Sequence, residues 1–242
     1  MARKPSSQPQ SPIRPIGNRL LGTLDAKDLD KILPDLQRVE IPLGTTLLKA
    51  GRPIDHAFFP ESGMISLVQR LEDGSVTEVG IIGQEGFFGV PLILGARSST
   101  IEPMIQGEGV LLRISAANLK RHAQRSLAFE EILLRYAQAL TTQVAQTAAC
   151  NSRHLLQQRL GRWLLEAHDR LGGPEMRLSH EFLSLMLGTR RAGVTTALGL
   201  LAVRGAVEVK RGRILIADRA KLERAACECY KTVRSEFKRL LP

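Results

Sequence analysis

Two short apolar patterns with helical spacing lie close together between Leu178 and Val207. Their apolar stripes are formed by Phe182, Leu183 and Met186 and then by Val194, Leu198 and Leu201. Gly188 stands between the stripes, where a residue that tolerates positive φ ends a helix at little cost. Thr189 is predicted to cap the second helix. The pattern therefore predicts a helix, a tight turn and a second helix.

The second predicted helix begins with polar residues that its apolar stripe leaves exposed. These candidate DNA contacts are Arg190, Arg191, Thr195 and Thr196, with Ser179 at the start of the first helix. Their side chains include the donors that phosphates and major-groove base edges accept. An αα-hairpin inside a globular core has the same hydrophobic pattern, so the flanking sequence decides between the two interpretations.

A strand, basic tip and strand pattern follows the second helix. The apolar runs Val207 to Val209 and Ile214 to Ile216 flank the tetrapeptide Lys210-Arg211-Gly212-Arg213. This spacing predicts a β-hairpin with Arg211 and Arg213 near its tip. A basic tip beside a basic helix start offers two cationic contacts to a phosphate backbone, whereas a solvated surface hairpin is the alternative.

The positive charge of the chain is concentrated in its second part. Residues 152–242 hold 18 Lys and Arg against 9 Asp and Glu, whereas residues 17–151 hold 13 against 15, within a formal net charge of +10. This asymmetry indicates one module that meets a polyanion and one that does not. A membrane surface is the competing polyanion, but no stretch approaches the roughly 20 apolar residues that span a bilayer. We therefore expect double-stranded DNA as the partner, and no membrane.

The first part of the chain has short β-rich runs that are punctuated by glycine, which predicts a small barrel or jelly roll. The predicted strands are Thr45 to Leu48, Ala57 to Phe59, Met64 to Leu71, Ser75 to Ile82 and Val110 to Ile114. Asp73-Gly74 predicts a type I′ hairpin turn. Asp25 is predicted to cap a helix, with Asp28 three residues later.

A long helical run from Leu127 to about Ala149 connects the two parts. Its apolar positions alternate in spacings of three and four, and they are Phe129, Leu133, Tyr136, Leu140, Val144 and Thr147. This spacing favours a coiled-coil seam between two chains, and an amphipathic helix that lies on the barrel is the alternative. A single helix-turn-helix contacts few base pairs, so a dimer with two recognition helices about 34 Å apart favours the seam.

Cysteine and histidine usage predicts neither a catalytic nor a metal site. Three cysteines, Cys150, Cys227 and Cys229, form an odd set without framework spacing, which is typical of reduced thiols in the cytoplasm. On a helix, residues two apart point about 200° apart, so Cys227 and Cys229 are expected to diverge. The five histidines show no ligand spacing.

Residues 1–16 lack an apolar core and are interpreted as a disordered basic tail rather than a secretory signal.

The whole arrangement resembles the family of the cyclic-AMP receptor protein and the fumarate-nitrate regulator (Crp/Fnr). Gly188 to Leu198, GTRRAGVTTAL, is similar to that family's turn and recognition helix, and Gly86 to Ser98, GFFGVPLILGARS, is similar to its phosphate-binding cassette. The resemblance implies an α+β homodimeric transcription regulator that binds a near-palindromic DNA site. An activator of this kind would also contact RNA polymerase.

The resemblance also implies a division of the chain. A double-stranded β-helix of the jelly-roll, cyclic-nucleotide-binding type covers residues 17–124. A long dimerisation helix covers 125–151, and a carboxy-terminal winged helix-turn-helix covers 152–242.

In the cassette, the resemblance implies that Arg97 and Ser98 contact a cyclic phosphate. Phe87 follows Gly86 where a glutamate would bind the ribose hydroxyl, and an unsatisfied hydroxyl costs about 1–3 kcal/mol. Val144 lies near the implied purine contact. Cyclic AMP and cyclic GMP therefore fit the phosphate side of the cassette and are disfavoured at the ribose, which leaves the effector unknown.

The redox branch of the family is disfavoured by the cysteine positions. No cysteine precedes Cys150, so the amino-terminal cluster of the iron-sulfur sensors is missing and no iron-sulfur cluster is predicted. His56 or His122 could serve as a haem axial ligand, but a lone histidine is more often structural.

In the recognition helix, the resemblance implies that Arg191 reads a guanine edge. Ala192 and Thr196 replace an acidic residue and a second arginine, which predicts an unusual target site. Arg190, Arg211 and Arg213 are the candidate phosphate contacts. Two other classes stay open: a nucleotide-sensing protein that acts through a protein partner, and an enzyme on nucleotides, for which no catalytic constellation is apparent.

Overall fold

The first half of the chain folds as a β-roll of two antiparallel three-stranded sheets, in a computed structural model that describes residues 15–241. One sheet has the order β1 (Gln37–Glu40), β6 (Val110–Ser115) and β2 (His56–Pro60). The other has the order β4 (Val76–Ile82), β3 (Met64–Arg70) and β5 (Ile101–Gly107). Of the predicted basic tail, residues 1–14 lie outside the described part.

Four of the five predicted strands are confirmed, and the strand from Thr45 to Leu48 is wrong. That segment makes a single isolated bridge, between Thr46 and Met104 of β5. Leu47 N donates to Pro103 O at 2.8 Å. Because Pro103 has no N–H to return the bond, the ladder stops there.

The β3–β4 hairpin is confirmed, but its turn is not type I′. Gly74 has φ +82°, and no other type of residue in the range 15–241 has positive φ, whereas type I′ requires positive φ at both central positions. Gly74 N donates to Leu71 O at 3.0 Å, and Leu71 N donates to Ser75 O at 2.9 Å. The connection is thus a tight turn that closes through a glycine bulge.

Four helices accompany the β-roll: α1 (Ala26–Ile32), α2 (Val90–Ile93), α3 (Ala116–Arg125) and α4 (Leu127–Arg153). The predicted cap is confirmed, because Asp25 Oδ1 accepts from Asp28 N at 2.7 Å. The predicted coiled-coil seam on α4 is wrong, because this stripe faces the β-roll of the same chain, as in the alternative interpretation. Phe129, Leu133, Tyr136 and Leu140 are buried in the core of the β-roll, and Val144 packs against it.

The second half of the chain forms a helix-turn-helix with a small sheet. Its elements are α5 (Leu156–Leu171), β7 (Glu175–Met176), α6 (His180–Met186), α7 (Arg191–Val203), β8 (Val207–Lys210), β9 (Arg213–Ile216), α8 (Arg219–Ala225) and α9 (Cys229–Leu240). The sheet order is β7-β9-β8. The α+β architecture predicted from the sequence is confirmed. No helix within residues 15–241 is both long and apolar enough to cross a membrane.

The two halves pack directly on one another. Trp163 of α5 is buried with Met64, Val68 and Ile81 of the β-roll, and its Nε1 donates to Glu78 Oε1 at 2.7 Å. Burial raises the pKa of Glu78 to about 8. The sheet that contains β3 and β4 therefore contributes part of the core of the helix-turn-helix half.

Helix α9 returns to the first half. The ring of Phe237 lies edge-on to Tyr136, with the centroids 6.2 Å apart. The chain end therefore runs back along α4, so that α4 is held between the β-roll and α9.

Candidate DNA-binding surface and effector site

The turn between α6 and α7 places the start of α7 at the surface. Ser179 caps α6, where its Oγ accepts from Phe182 N at 3.0 Å, and Gly188 has φ +57° as the turn predicts. The residue that precedes α7 is Arg190 and not Thr189. Thr189 N donates to Ser184 O at 2.9 Å, so Thr189 still belongs to the turn and its predicted capping role is wrong.

The amino-terminal end of α7 carries two exposed cations. Arg190 and Arg191 are exposed, and neither guanidinium has an ion-pair partner in the described part of the chain. The first backbone N–H groups of a helix are unsatisfied and carry partial positive charge. The guanidinium groups and the helix end therefore present one electropositive surface to an anion.

The two predicted threonine contacts lie on the same exposed face. Thr196 Oγ1 donates to Ala192 O at 3.1 Å. Thr195 Oγ1 lies 2.9 Å from His180 Nδ1 and 3.2 Å from Arg191 O. Their hydroxyl hydrogens already have acceptors within the protein, so each threonine offers a methyl group and an acceptor to a base edge.

The wing is the β8–β9 hairpin, and its two arginines differ. Arg211 lies exposed at the tip beside Gly212, which has φ +72°. Arg213 Nη1 instead donates to Glu175 Oε1 at 3.0 Å. A phosphate contact by Arg213 competes with this pair, whereas Arg211 is available without rearrangement.

The predicted effector residues are divided between the core and the surface. Phe87 is fully buried and stacks on Phe59 with the centroids 5.0 Å apart, so its ring is part of the β-roll core. A Cβ on Gly86 would lie 2.1 Å from the ring of Tyr136. Arg97 and Ser98 are exposed, and Val144 packs against the core.

A cleft of about 420 Å³ lies between the two halves of the chain. Four basic and three acidic residues line it, among them Arg170, which is paired with Glu85 at 2.7 Å. None of the predicted effector residues is part of its lining, which consists of Arg19, Leu20, Thr23, Glu85, Glu166, Asp169, Arg170, Tyr230, Val233, Arg234, Phe237, Lys238 and Leu241.

All three cysteines converge on one place, together with His154. The prediction that the thiols of Cys227 and Cys229 diverge is wrong, because Cys227 precedes α9 and is not helical. The hydrogen bond with Cys227 and the nearby positive charge of Arg162 lower the pKa of Cys150 to about 5, although burial acts in the opposite direction. The spacing of Cys150 and His154, four residues apart near the end of α4, was the signal in the sequence that could have indicated this cluster.

Comparison with family models gives one match in each half of the chain. A model described as a cyclic nucleotide-binding domain matches residues 38–126, and one described as a Crp-like helix-turn-helix domain matches residues 158–225. A CRP-like cAMP-activated global transcriptional regulator from Mycobacterium tuberculosis is 27% identical over 206 residues, which cover 79% of this chain and 88% of the relative.

Solved structures share the same architecture. FixK2 from Bradyrhizobium japonicum superposes with a TM-score of 0.69 at 16% identity, covering 79% of this chain and 98% of FixK2. The global regulator CLP from Xanthomonas campestris gives a TM-score of 0.64 at 18% identity, covering 80% of this chain and 100% of CLP. At these identities the similarity shows the fold alone.

Proposed function

Because the chain belongs to the Crp/Fnr family of transcription regulators, we propose that it binds DNA as a homodimer through α7 and the wing. The single observation that carries this proposal is that the guanidinium groups of Arg190 and Arg191, at the start of α7, are exposed and have no ion-pair partner within residues 15–241. Arg191 reads a base edge, and Arg190 and Arg211 contact phosphates. Thr195, Thr196 and Ser179 complete the surface, and Arg213 joins it when its pair with Glu175 opens.

The dimer forms through the outer face of α4, not through the predicted seam. Leu127 and Leu134 are exposed on α4 at 84% and 43%. Thr141, Ala145 and Ala148 continue the same stripe at spacings of three and four, and all are exposed. Small residues at such positions allow two helices to approach closely, so this stripe supports a two-chain coiled coil.

In this proposal the β-roll half binds the effector of the regulator. That effector is not a cyclic nucleotide whose ribose hydroxyl is bound by the protein. The relative from Mycobacterium tuberculosis is named as cAMP-activated. In this chain Phe87, at the ribose position, is buried in the core, and Arg97 and Ser98, at the phosphate position, are exposed at the surface. We expect neither cyclic AMP nor cyclic GMP to strengthen DNA binding tenfold, and a titration of each against a fixed duplex measures this.

Selection of bound genomic fragments, with and without cyclic AMP, cyclic GMP and a small-molecule fraction of cell extract, identifies the target site and its dependence on an effector. Binding of matched and mismatched duplexes is then measured by fluorescence anisotropy at two salt concentrations. Arg191→Ala is expected to lose about 1–3 kcal/mol of discrimination at one base pair in each half-site. Arg211→Ala is expected to weaken all duplexes alike and to reduce the salt dependence by about one ion per subunit.

Arg52→Ala is the matched control, since Arg52 is an exposed arginine of the β-roll half, and it should leave both measurements unchanged. An equal loss on every duplex for Arg191→Ala would contradict the base contact. The absence of any selected DNA would contradict the proposed function as a whole.

A further inference from the structure

A cluster of three cysteines and one histidine joins two distant segments of the chain. Cys150 and His154 stand one turn apart near the end of α4, whereas Cys227 and Cys229 lie just before and at the start of α9. The three cysteines are buried and His154 is half-buried. They are the only cysteines in the sequence.

We propose that these four residues bind one Zn²⁺ ion in a tetrahedral site. Their ligating atoms all lie within 4.8 Å of one another. The Sγ atoms of Cys150 and Cys227 are 3.5 Å apart, and Cys229 Sγ is 3.4 Å from His154 Nδ1. A Zn–S bond of about 2.3 Å in a tetrahedron places neighbouring ligands about 3.8 Å apart. The two close pairs therefore need a few tenths of an ångström of adjustment, and the most distant pair needs at most about 1 Å.

The surrounding groups match the outer contacts of a zinc site. Glu228 Oε1 lies 3.2 Å from His154 Nε2, the ring nitrogen that faces away from the thiols. A carboxylate on that nitrogen fixes the tautomer in which Nδ1 is free to bind metal. Gln146 Nε2 donates to Cys229 Sγ at 3.0 Å, which stabilises a thiolate.

The donor set selects a single ion over the alternatives. Three thiolates and one imidazole suit Zn²⁺, a borderline-soft cation, and together they form a closed structural site without an open position. A binuclear iron-sulfur cluster would hold its ligands on two separate irons, farther apart than this compact set. The distance of 3.5 Å between Cys150 and Cys227 sulfurs also exceeds the roughly 2.05 Å of a disulfide.

The position of the site gives the ion a structural role. Cys150 lies in the last turn of α4 and His154 begins the connection to α5, whereas Cys227 and Cys229 lie just before and at the start of α9. One ion therefore fixes α9 against the end of α4 where the two halves of the chain meet. This inference concerns metal binding and is independent of the proposed DNA function.

The metal content of tag-free protein, purified under reducing conditions without chelator, is measured by inductively coupled plasma mass spectrometry. We expect about one zinc per chain in the wild type and less than a tenth of that in Cys227→Ser and His154→Ala. After chelation, titration with Co²⁺ should give the intense visible bands of tetrahedral cobalt and a thiolate charge-transfer band. Since no other cysteine exists, these bands report on this cluster alone.

Two further variants, Glu228→Gln and His56→Gln, distinguish the four direct ligands from a residue that contacts one of them and from a histidine outside the cluster. Glu228→Gln should keep the cobalt spectrum and weaken metal affinity about 10–100-fold. His56→Gln changes a histidine outside the cluster and should leave both unchanged. Circular dichroism shows whether each variant is folded, and chelated wild type provides the metal-free comparison when a variant is not.

Three results would overturn the proposal. The first is reduced, folded wild type that neither contains zinc nor gives a tetrahedral cobalt spectrum. The second is iron together with acid-labile sulfide. The third is a Cys150–Cys227 disulfide as the stable state of protein that has been supplied with zinc.

Discussion

Gly86 and Phe87 show how a single residue can change the role of the segment that contains it. The ring of Phe87 lies between Phe59 and Tyr136, with centroid distances of 5.0 and 5.3 Å. Burial of such aromatic side chains contributes heavily to core stability. The cassette position that the family resemblance assigns to a sugar contact therefore supports the β-roll core in this chain.

Substitution of Gly86 tests this packing. In Gly86→Ala the new methyl group would lie 2.1 Å from the Tyr136 ring, which is itself fully buried. Because neither backbone nor ring has free space, we expect a loss of about 1–3 kcal/mol in the free energy of unfolding, measured by denaturant titration. Gly22→Ala is the control, since no atom lies within 4 Å of its added Cβ. Equal unfolding midpoints for the two variants would contradict the argument.

At the same scale, most local features were predictable, whereas distant packing was not. The predicted cap at Asp25 depends on Asp28, three positions away, and is confirmed. Ser179, predicted to stand at the start of α6, caps that helix, whereas the predicted cap at Thr189 is wrong. The direction of the Phe87 side chain depends on Tyr136, nearly fifty residues later in the chain. The convergence of Cys150 with Cys227 depends on the return of α9, which no local pattern encodes.

Among the elements, α4 shows why periodicity alone cannot name the partner of a helix. Its apolar stripe has coiled-coil spacing, yet Phe129, Leu133, Tyr136 and Leu140 pack on the β-roll of the same chain. An apolar stripe on a helix can pack against the apolar face of a sheet or against a second helix, so its spacing alone does not distinguish the two partners. The exposed face left for the proposed dimer has leucines in its first half and the smaller Thr141, Ala145 and Ala148 after them.

The dimer face on α4 gives a second test. In Ala145→Glu a carboxylate enters the middle of the exposed stripe, where a like charge from the partner helix would face it. We expect the variant to be monomeric at concentrations at which wild type is dimeric, as measured by analytical ultracentrifugation. Ala128→Glu, at an exposed alanine of α4 about 100° around the helix from Ala145, is the matched control and should stay dimeric. A dimeric Ala145→Glu protein would exclude this face.

For the whole molecule, buried polar contacts hold the β-roll against α5. Glu78 of β4 accepts hydrogen bonds from Trp163 Nε1 and Ser66 Oγ. Arg170 of α5 pairs with Glu85 at 2.7 Å, and both are largely buried. These contacts therefore join β4 and the loop that follows it to α5, against which α7 of the helix-turn-helix packs. Sequence patterns predicted each half separately, whereas these bonds depend on how the halves dock.

The Glu78 contact predicts a specific pH dependence of stability. Burial raises the pKa of Glu78 from 4.5 to about 8 in the folded protein, although Arg162 and the hydrogen bonds oppose this. Between these two values the folded state holds a proton that the unfolded state releases, so stability falls as pH rises. The fall from this group amounts to at most about 1.4 kcal/mol per pH unit, and it ends above pH 8.

Glu78→Gln removes the titration and keeps an oxygen that can accept from Trp163. Relative to wild type, the variant should therefore gain stability steadily from pH 5 to pH 8, with the difference largest at the upper end. Unfolding by denaturant at each pH measures this difference, in which the titrations that both proteins share cancel. Glu108→Gln, at an exposed glutamate, should run parallel to wild type. A parallel curve for Glu78→Gln would mean that Glu78 is ionised in the folded protein and that a charged carboxylate holds the two halves together.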